Sequence, residues 1–196
     1  MGNKNLRGDS ATARPSTEYF RLKAEKEAQD KADMLASLDV DLSLLPTHPA
    51  LVIFDNNSIG IHIDQYKRTK DEPTNMDTLV ETISAYAPHV KSIDMNIHAP
   101  FPHHESMDVQ SRRTKCFKKL FVEINKFKLE SLHLCMLLDE HKFPQMKLAA
   151  GIMGLSFKEW TLMYEVLGVS EYFPVERGSE FDLRLRGVFN KEVLKF

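Results

Sequence analysis

The chain has 196 residues, of which 42% are hydrophobic, and its formal net charge is −2. This length fits one domain with a sizeable core, and the charge balance excludes a whole-protein field that attracts nucleic acid or an anionic membrane. Cys116 and Cys135 are too few for a disulfide scaffold. Because no secretory h-region or bilayer-length apolar run is evident, we expect a cytoplasmic or nuclear protein without a membrane partner.

The first 45 residues predict peripheral segments. Residues 1–16 are polar and lack periodicity, so we expect a disordered tail. Residues 17–45 begin with many strong helix formers and predict a peripheral N-terminal helix, supported by i, i+4 pairs such as Lys23–Glu27. The remainder, residues 46–196, is expected to form a single α/β domain.

A β-hairpin is predicted at the start of this domain. Residues 51–54 are a short apolar run, and residues 55–58 are turn formers. Ile59, Ile61 and Ile63 then alternate with smaller or polar residues, as in a half-buried strand. We expect the two strands to be joined by a longer loop.

A helix–strand unit over residues 76–97, echoed over 114–138, is the clearest pattern in the chain. Its first half has the apolar spacing of an amphipathic helix, and its second half alternates like a strand. Thr74 and Asp77 approximate a capping box at the start of the helix, and Pro88 stops it.

The C-terminal third predicts two helices and a last strand. Residues 143–167 have helical character, with Ser156 and Glu159 as a capping box and Gly168 as the C-terminal cap. Residues 181–186 alternate between apolar and charged side chains, which predicts a strand.

The order of these elements predicts an α/β fold with a mainly parallel sheet, since strands separated by helical crossovers are parallel. On the predicted strands after residues 51–54, the residues between the apolar ones are mostly polar, which suits a sheet with helices on one face only. The other face is then open to solvent or to a partner. Its candidate partner-binding residues are His62, Asp94, Asn96, His133, Arg184 and Arg186.

Two strand motifs carry a resemblance to a known family. They are Val90-x-x-Ile93-x-Met95 and Leu129-x-x-Leu132-x-Leu134. Each follows an amphipathic helix, and together they resemble leucine-rich-repeat units of the kind found behind F-box motifs in substrate-recognition proteins. The resemblance covers residues 76–138, roughly a third of the chain. His98 and Leu137 stand where the consensus has Asn or Cys, and no F-box precedes residue 50, so an adaptor role in ubiquitination does not carry over.

The resemblance implies a short repeat-like β/α solenoid, with a curved sheet whose open face binds another protein. We therefore expect a non-catalytic binding module for a protein partner, without a cofactor or metal. The alternative is a nucleic-acid-binding protein. It would use the basic helix predicted over residues 112–128 and a helix-turn-helix-like hairpin at 146–167, with Gly154 in the turn.

An enzyme is the least supported class. His98, His103, His104 and Glu105 fall in one proline-rich loop, but no HExxH or CxxC spacing accompanies them. His133 and Cys135 share a strand face, where side chains two positions apart stand about 7 Å from each other, beyond hydrogen-bond reach. We therefore assign no catalytic residue and expect a solvated loop and a polar sheet face.

Overall fold

The computed structural model describes residues 21, 23, 25–28, 40–55, 57–65, 74–99, 106–157 and 159–193. The chain divides into two units, residues 1–38 and 39–196. Described residues of the first unit are helical, and the predicted Lys23–Glu27 pair is present at 3.7 Å. The tail predicted over residues 1–16 lies outside the described residues.

The second unit is a mixed α/β fold around one six-stranded sheet. It begins before Pro46, because Leu42, in a 3₁₀ turn at Leu42–Leu44, is completely buried in the core. The strands are β1 (Leu51–Asp55), β2 (Ser58–Asp64), β3 (Ser92–His98), β4 (Ser131–Leu138), β5 (Trp160–Val166) and β6 (Tyr172–Pro174). The helices are α1 (Met76–Ser84), α2 (Met107–Ile124), α3 (Phe143–Met146) and α4 (Glu180–Val193), and a 3₁₀ segment spans Lys147–Gly154.

The strands lie in chain order from β1 to β6. Strands β2 to β5 are parallel, and the edge strands β1 and β6 pair antiparallel with their neighbours. The predicted mainly parallel sheet and its N-terminal hairpin are therefore confirmed. The hairpin loop is shorter than predicted, since β1 ends at Asp55 and β2 begins at Ser58. The Asp55 carboxylate accepts from the Asn57 N–H at 2.8 Å and closes this tight turn.

Three rows of apolar side chains cross the four parallel strands on the helical side. The rows are Ile59–Ile93–Leu132–Trp160, Ile61–Met95–Leu134–Leu162 and Ile63–Ile97–Met136–Tyr164. Apart from the half-buried Trp160, every member is at most 6% exposed. Helices α1 and α2 cover the rows with buried residues that include Leu79, Ile83, Phe117 and Leu120. Period-2 alternation and register together produce one continuous core.

Helix α1 is capped by a different residue from the one predicted. The Asn75 side chain accepts from the Thr78 N–H at 3.3 Å, as an N-cap does. Thr74 instead accepts from the Asp64 N–H at 3.0 Å and ties the start of the helix to β2. The helix ends at Ser84, a few residues before Pro88, where the sequence predicts its end.

The helical hairpin predicted over residues 143–167 is wrong in its second half. Residues 160–166 form β5, whose alternate residues Leu162 and Tyr164 are buried beside β4. Pairing with β4 satisfies backbone groups that would otherwise lie at an exposed edge. Gly168, with φ of 80°, lies in the turn between β5 and β6 and caps no helix. The helix-turn-helix-like arrangement is therefore absent.

The last predicted strand is also wrong, because residues 181–186 lie in helix α4. The Ser179 hydroxyl accepts from the Asp182 N–H at 3.3 Å, and the Asp182 carboxylate accepts from the Gly178 N–H at 2.9 Å. This is a helix-start signal of the S-x-x-D type. Arg184 and Arg186 therefore lie on a helix, four residues after Glu180 and Asp182, with which they form ion pairs at 3.0 Å.

These two ion pairs of α4 give a matched test of what stabilises the helix. Asp182 is 3% exposed, and its hydrogen bonds from Arg186 lower the pKa of its carboxyl. We expect Asp182→Ala to lower the free energy of unfolding by about 1–3 kcal/mol at neutral pH. Glu180→Ala, which removes an exposed pair, should cost less than about 0.5 kcal/mol in the same urea titration.

The pH dependence of this effect has a defined sign. Because the folded-state pKa of Asp182 lies below its ordinary value of 3.8, the stabilisation is complete above pH 3.8 and disappears as the pH falls through the lowered pKa. Equal losses for the two variants at neutral pH would contradict the assigned role of Asp182.

Candidate recognition surface on the open sheet face

The outward positions of the sheet form a surface that the helices do not cover. Two rows run across β2 to β5: Gly60–Asp94–His133–Thr161 and His62–Asn96–Cys135–Met163. We call these eight residues, together with Val52 and Phe54 of β1, the open face. The structure thus brings four of the six predicted candidates, His62, Asp94, Asn96 and His133, onto adjacent strands. Arg184 and Arg186 are not among them, because α4 contributes Leu185 to the core on the helical side.

Hydrogen bonds between neighbouring strands hold several of these side chains. The Asn96 amide donates to His62 Nδ1 at 3.3 Å, so His62 carries its proton on Nε2 in this arrangement. His133 Nδ1 lies 2.8 Å from the Thr161 hydroxyl. His62, Asn96, His133 and Thr161 are nevertheless exposed, and Asp94 is half-buried. Polar groups held in place before binding lose less conformational entropy when a partner arrives.

Phe54 is the largest apolar group on this surface, and it is 53% exposed. Its ring lies directly over Gly60, where an added Cβ would be 2.7 Å from Phe54 Cζ. Val52, which is in register with Gly60, is 42% exposed beside it. A side chain at position 60 would displace the Phe54 ring. The absence of a side chain at Gly60 therefore allows Phe54 and Val52 to form an apolar patch at the β1 edge of the open face.

Sequence reasoning missed Val52 and Phe54 because residues 51–54 read as one buried apolar run. In the structure Leu51 and Ile53 face the core, and the two residues between them face outward. The predicted hairpin contained the necessary information. The alternation in β2 determines which residues of its antiparallel partner β1 lie on each face of the sheet.

The charge of the open face is negative. Its outward positions in the described strands include no Lys or Arg, whereas Asp94 lies within it and Asp64 and Glu165 continue it toward the strand ends. His98 Nδ1 lies 3.5 Å from the Asp64 carboxylate. Among the described residues, Asp94 has no hydrogen-bond or ion-pair partner, so its carboxylate is available to an incoming cation or N–H donor.

The remaining groups considered for chemistry are the Cys135 thiol and the predicted histidine loop. Burial raises the pKa of the Cys135 thiol, and the nearby Glu165 carboxylate adds to this effect, so the thiol is protonated at neutral pH and is a weak nucleophile. His103, His104 and Glu105 lie outside the described residues. Within the part of the chain that is described, no group of three His, Cys, Asp or Glu side chains could hold a metal ion.

A cavity of about 620 Å³ lies on the other side of the molecule, in the helical layer. Phe121 and Phe189 form its walls by packing against Gly151 and Gly154, where added Cβ atoms would be 2.4 and 2.6 Å from the rings. The polar groups at its rim are already engaged: Lys119 with Asp77, Glu123 with Lys126, and Asn125 with the Ser156 N–H. It therefore offers apolar volume without an available polar anchor, in contrast to the open face.

The chain matches no known protein family, and comparisons with curated proteins and with solved structures find none that is similar. No helix in the described ranges combines the length and apolar character needed to cross a bilayer.

The raised pKa of Cys135 predicts a pH profile for its alkylation. In a Cys116→Ser variant, Cys135 is the only thiol, and its reaction with iodoacetamide follows the thiolate fraction. We expect the rate in the folded protein to rise with a midpoint above the ordinary value of 9.0. The urea-unfolded chain is the control, and a folded-state midpoint at or below that of the unfolded chain would contradict the assignment.

Proposed function

We propose that this chain is a non-catalytic recognition module that binds another protein through the open face. The observation that carries the proposal is the pairing of Phe54, an exposed aromatic ring seated on Gly60, with adjacent rows of fixed polar side chains. Binding hot spots combine such aromatic anchors with surrounding polar groups that define orientation.

The size of the open face is compatible with specific binding. At strand spacings of about 4.8 Å and rises of about 3.3 Å per residue, the outward surface of β1 to β5 measures roughly 25 by 20 Å. This is of the order of the area that one partner contributes to a standard protein–protein interface. A parallel sheet is normally covered on both faces, so an uncovered face favours a binding role.

We also propose that the units are repeat-like, as the resemblance to leucine-rich-repeat units implies. The sequential strand order and the three apolar rows running across β2 to β5 support this arrangement. In such an arrangement each unit buries its apolar face against the next one, and terminal elements cap the stack. The antiparallel edge strands β1 and β6 would be the caps.

The nucleic-acid alternative has less support. Its hairpin component is contradicted by β5, and the outward positions of the described strands carry no cation to contact phosphate. The basic residues of α2 remain, with Arg112 and Lys115 exposed. However, Lys119 is paired with Asp77 at 3.1 Å, and Phe117 faces the core. A basic outer face of this kind serves to keep a packed helix soluble.

A photocrosslinking experiment can test the protein-binding proposal. We place p-benzoylphenylalanine at position 54 in the full chain, and at position 183 on α4 as a control, since Leu183 is also an exposed hydrophobic residue at 60%. We expect a discrete protein adduct from position 54 that is absent from position 183. Adducts of equal yield at both positions, or none from position 54, would contradict the proposal.

Affinity measurements with the retrieved partner then separate recognition from folding. We expect Phe54→Ala and His133→Ala each to weaken binding about tenfold or more, as hot-spot truncations do. Both side chains are solvent-exposed, so the free energy of unfolding should change by less than about 1 kcal/mol. Leu183→Ala is the matched control and should leave the affinity unchanged.

A further inference from the structure

Phe54 and Asp94 lie side by side on the open face. The tip of the Phe54 ring occupies the position that a side chain at Gly60 would take. Gly60 is in register with Asp94 on the adjacent parallel strand, and neighbouring strands are about 4.8 Å apart. The aromatic ring and Asp94 therefore lie about one strand spacing apart, and we call the surface between them the Phe54–Asp94 notch.

Resting on the proposed function, we infer that this notch binds an arginine side chain of a partner polypeptide. A guanidinium group can stack on an aromatic ring while it donates two N–H groups to a carboxylate. Asp94 suits this role because it is half-buried and has no partner among the described residues. A lysine ammonium fits less well, since it is a strongly hydrated point charge that cannot stack as a plane.

His62 also lies beside Gly60. Its Nε2 lies 3.4 Å from the Cβ position of Gly60, and Asn96 donates to its other ring nitrogen. Because the Nε2 atom then carries the proton, it donates rather than accepts. It can therefore hold a carbonyl oxygen of the partner, but it cannot compete with Asp94 for the guanidinium.

The surrounding charges exclude other occupants. A phosphorylated peptide or a nucleic acid would meet Asp64, Asp94 and Glu165, with no Lys or Arg on the outward positions of the described strands to compensate. A purely apolar partner would bury the Asp94 carboxylate without a hydrogen bond, which is costly. A basic polypeptide neutralises the carboxylates and satisfies Asp94.

The test uses short capped peptides and the isotopically labelled full chain. The probes are the tripeptides acetyl-Gly-Arg-Gly-amide and acetyl-Gly-citrulline-Gly-amide, which have nearly the same shape but differ in charge. We expect the arginine probe to bind in the millimolar range and to shift the amide resonances of Gly60, Asp94 and their neighbours. The citrulline probe should cause no such shifts, and the corresponding lysine probe should bind more weakly than arginine.

Variants assign the effect to the notch. Asp94→Asn should weaken arginine-probe binding by about fivefold, the upper end of the range for surface ion pairs, because Asp94 is half-buried. Gly60→Ala should weaken it by displacing the Phe54 ring. Asp108→Asn, which alters an exposed carboxylate in the first turn of α2, is the matched control and should have no effect.

Each outcome decides the assignment. Equal binding of the citrulline probe, an unchanged affinity of the arginine probe for Asp94→Asn, or no shift at Gly60 and Asp94 would overturn the arginine site. Position 54 can still crosslink to a partner when Asp94→Asn leaves the affinity for that partner unchanged. In that case the arginine assignment is wrong, but the proposed recognition surface is not contradicted. Self-association of the purified chain through the open face would also overturn the assignment, because the occupant of that face would then be a second copy of the chain.

Discussion

The structure depends on the register of four parallel strands. Each inward residue of β2 meets an inward residue of β3, β4 and β5, as in the row Ile61–Met95–Leu134–Leu162, where no side chain is more than 3% exposed. A slip of one residue in any strand would turn its apolar set toward solvent. Burial of these rows therefore fixes the pairing of the strands, and the helices need only cover one side.

The open face is the other result of that register. When alternate residues are fixed in the core, the residues between them are held at strand spacing on the opposite surface, with His62 next to Asn96 and His133 next to Thr161. Gly60 interrupts this polar set because it has no side chain, and the Phe54 ring from the edge strand fills the space. The constraint that builds the core therefore also places an aromatic ring beside Asp94.

Sequence reasoning succeeded where one period dominates. The helix and strand of residues 76–97 were predicted because 3.6- and 2-residue periods are unmixed there. It failed where both periods fit: WTLMYEV became β5 because β4 offered a partner, and residues 181–186 became helical because Ser179 caps them and Leu185 is buried. Misplacing Arg184 and Arg186 followed from the second error. Val52 and Phe54 were missed because their exposure depends on strand pairing rather than on composition.

Hydroxyl-radical footprinting of the full unmodified chain tests the central claim most directly, because it compares residues of the same type on opposite sides of one sheet. The structure predicts modification of Met163 on the open face and protection of Met95 and Met136, which are at most 1% exposed. It also predicts modification of Phe54 and protection of Phe117, which is 2% exposed. Protection of Phe54 and Met163 as complete as that of their buried counterparts would contradict an uncovered sheet face.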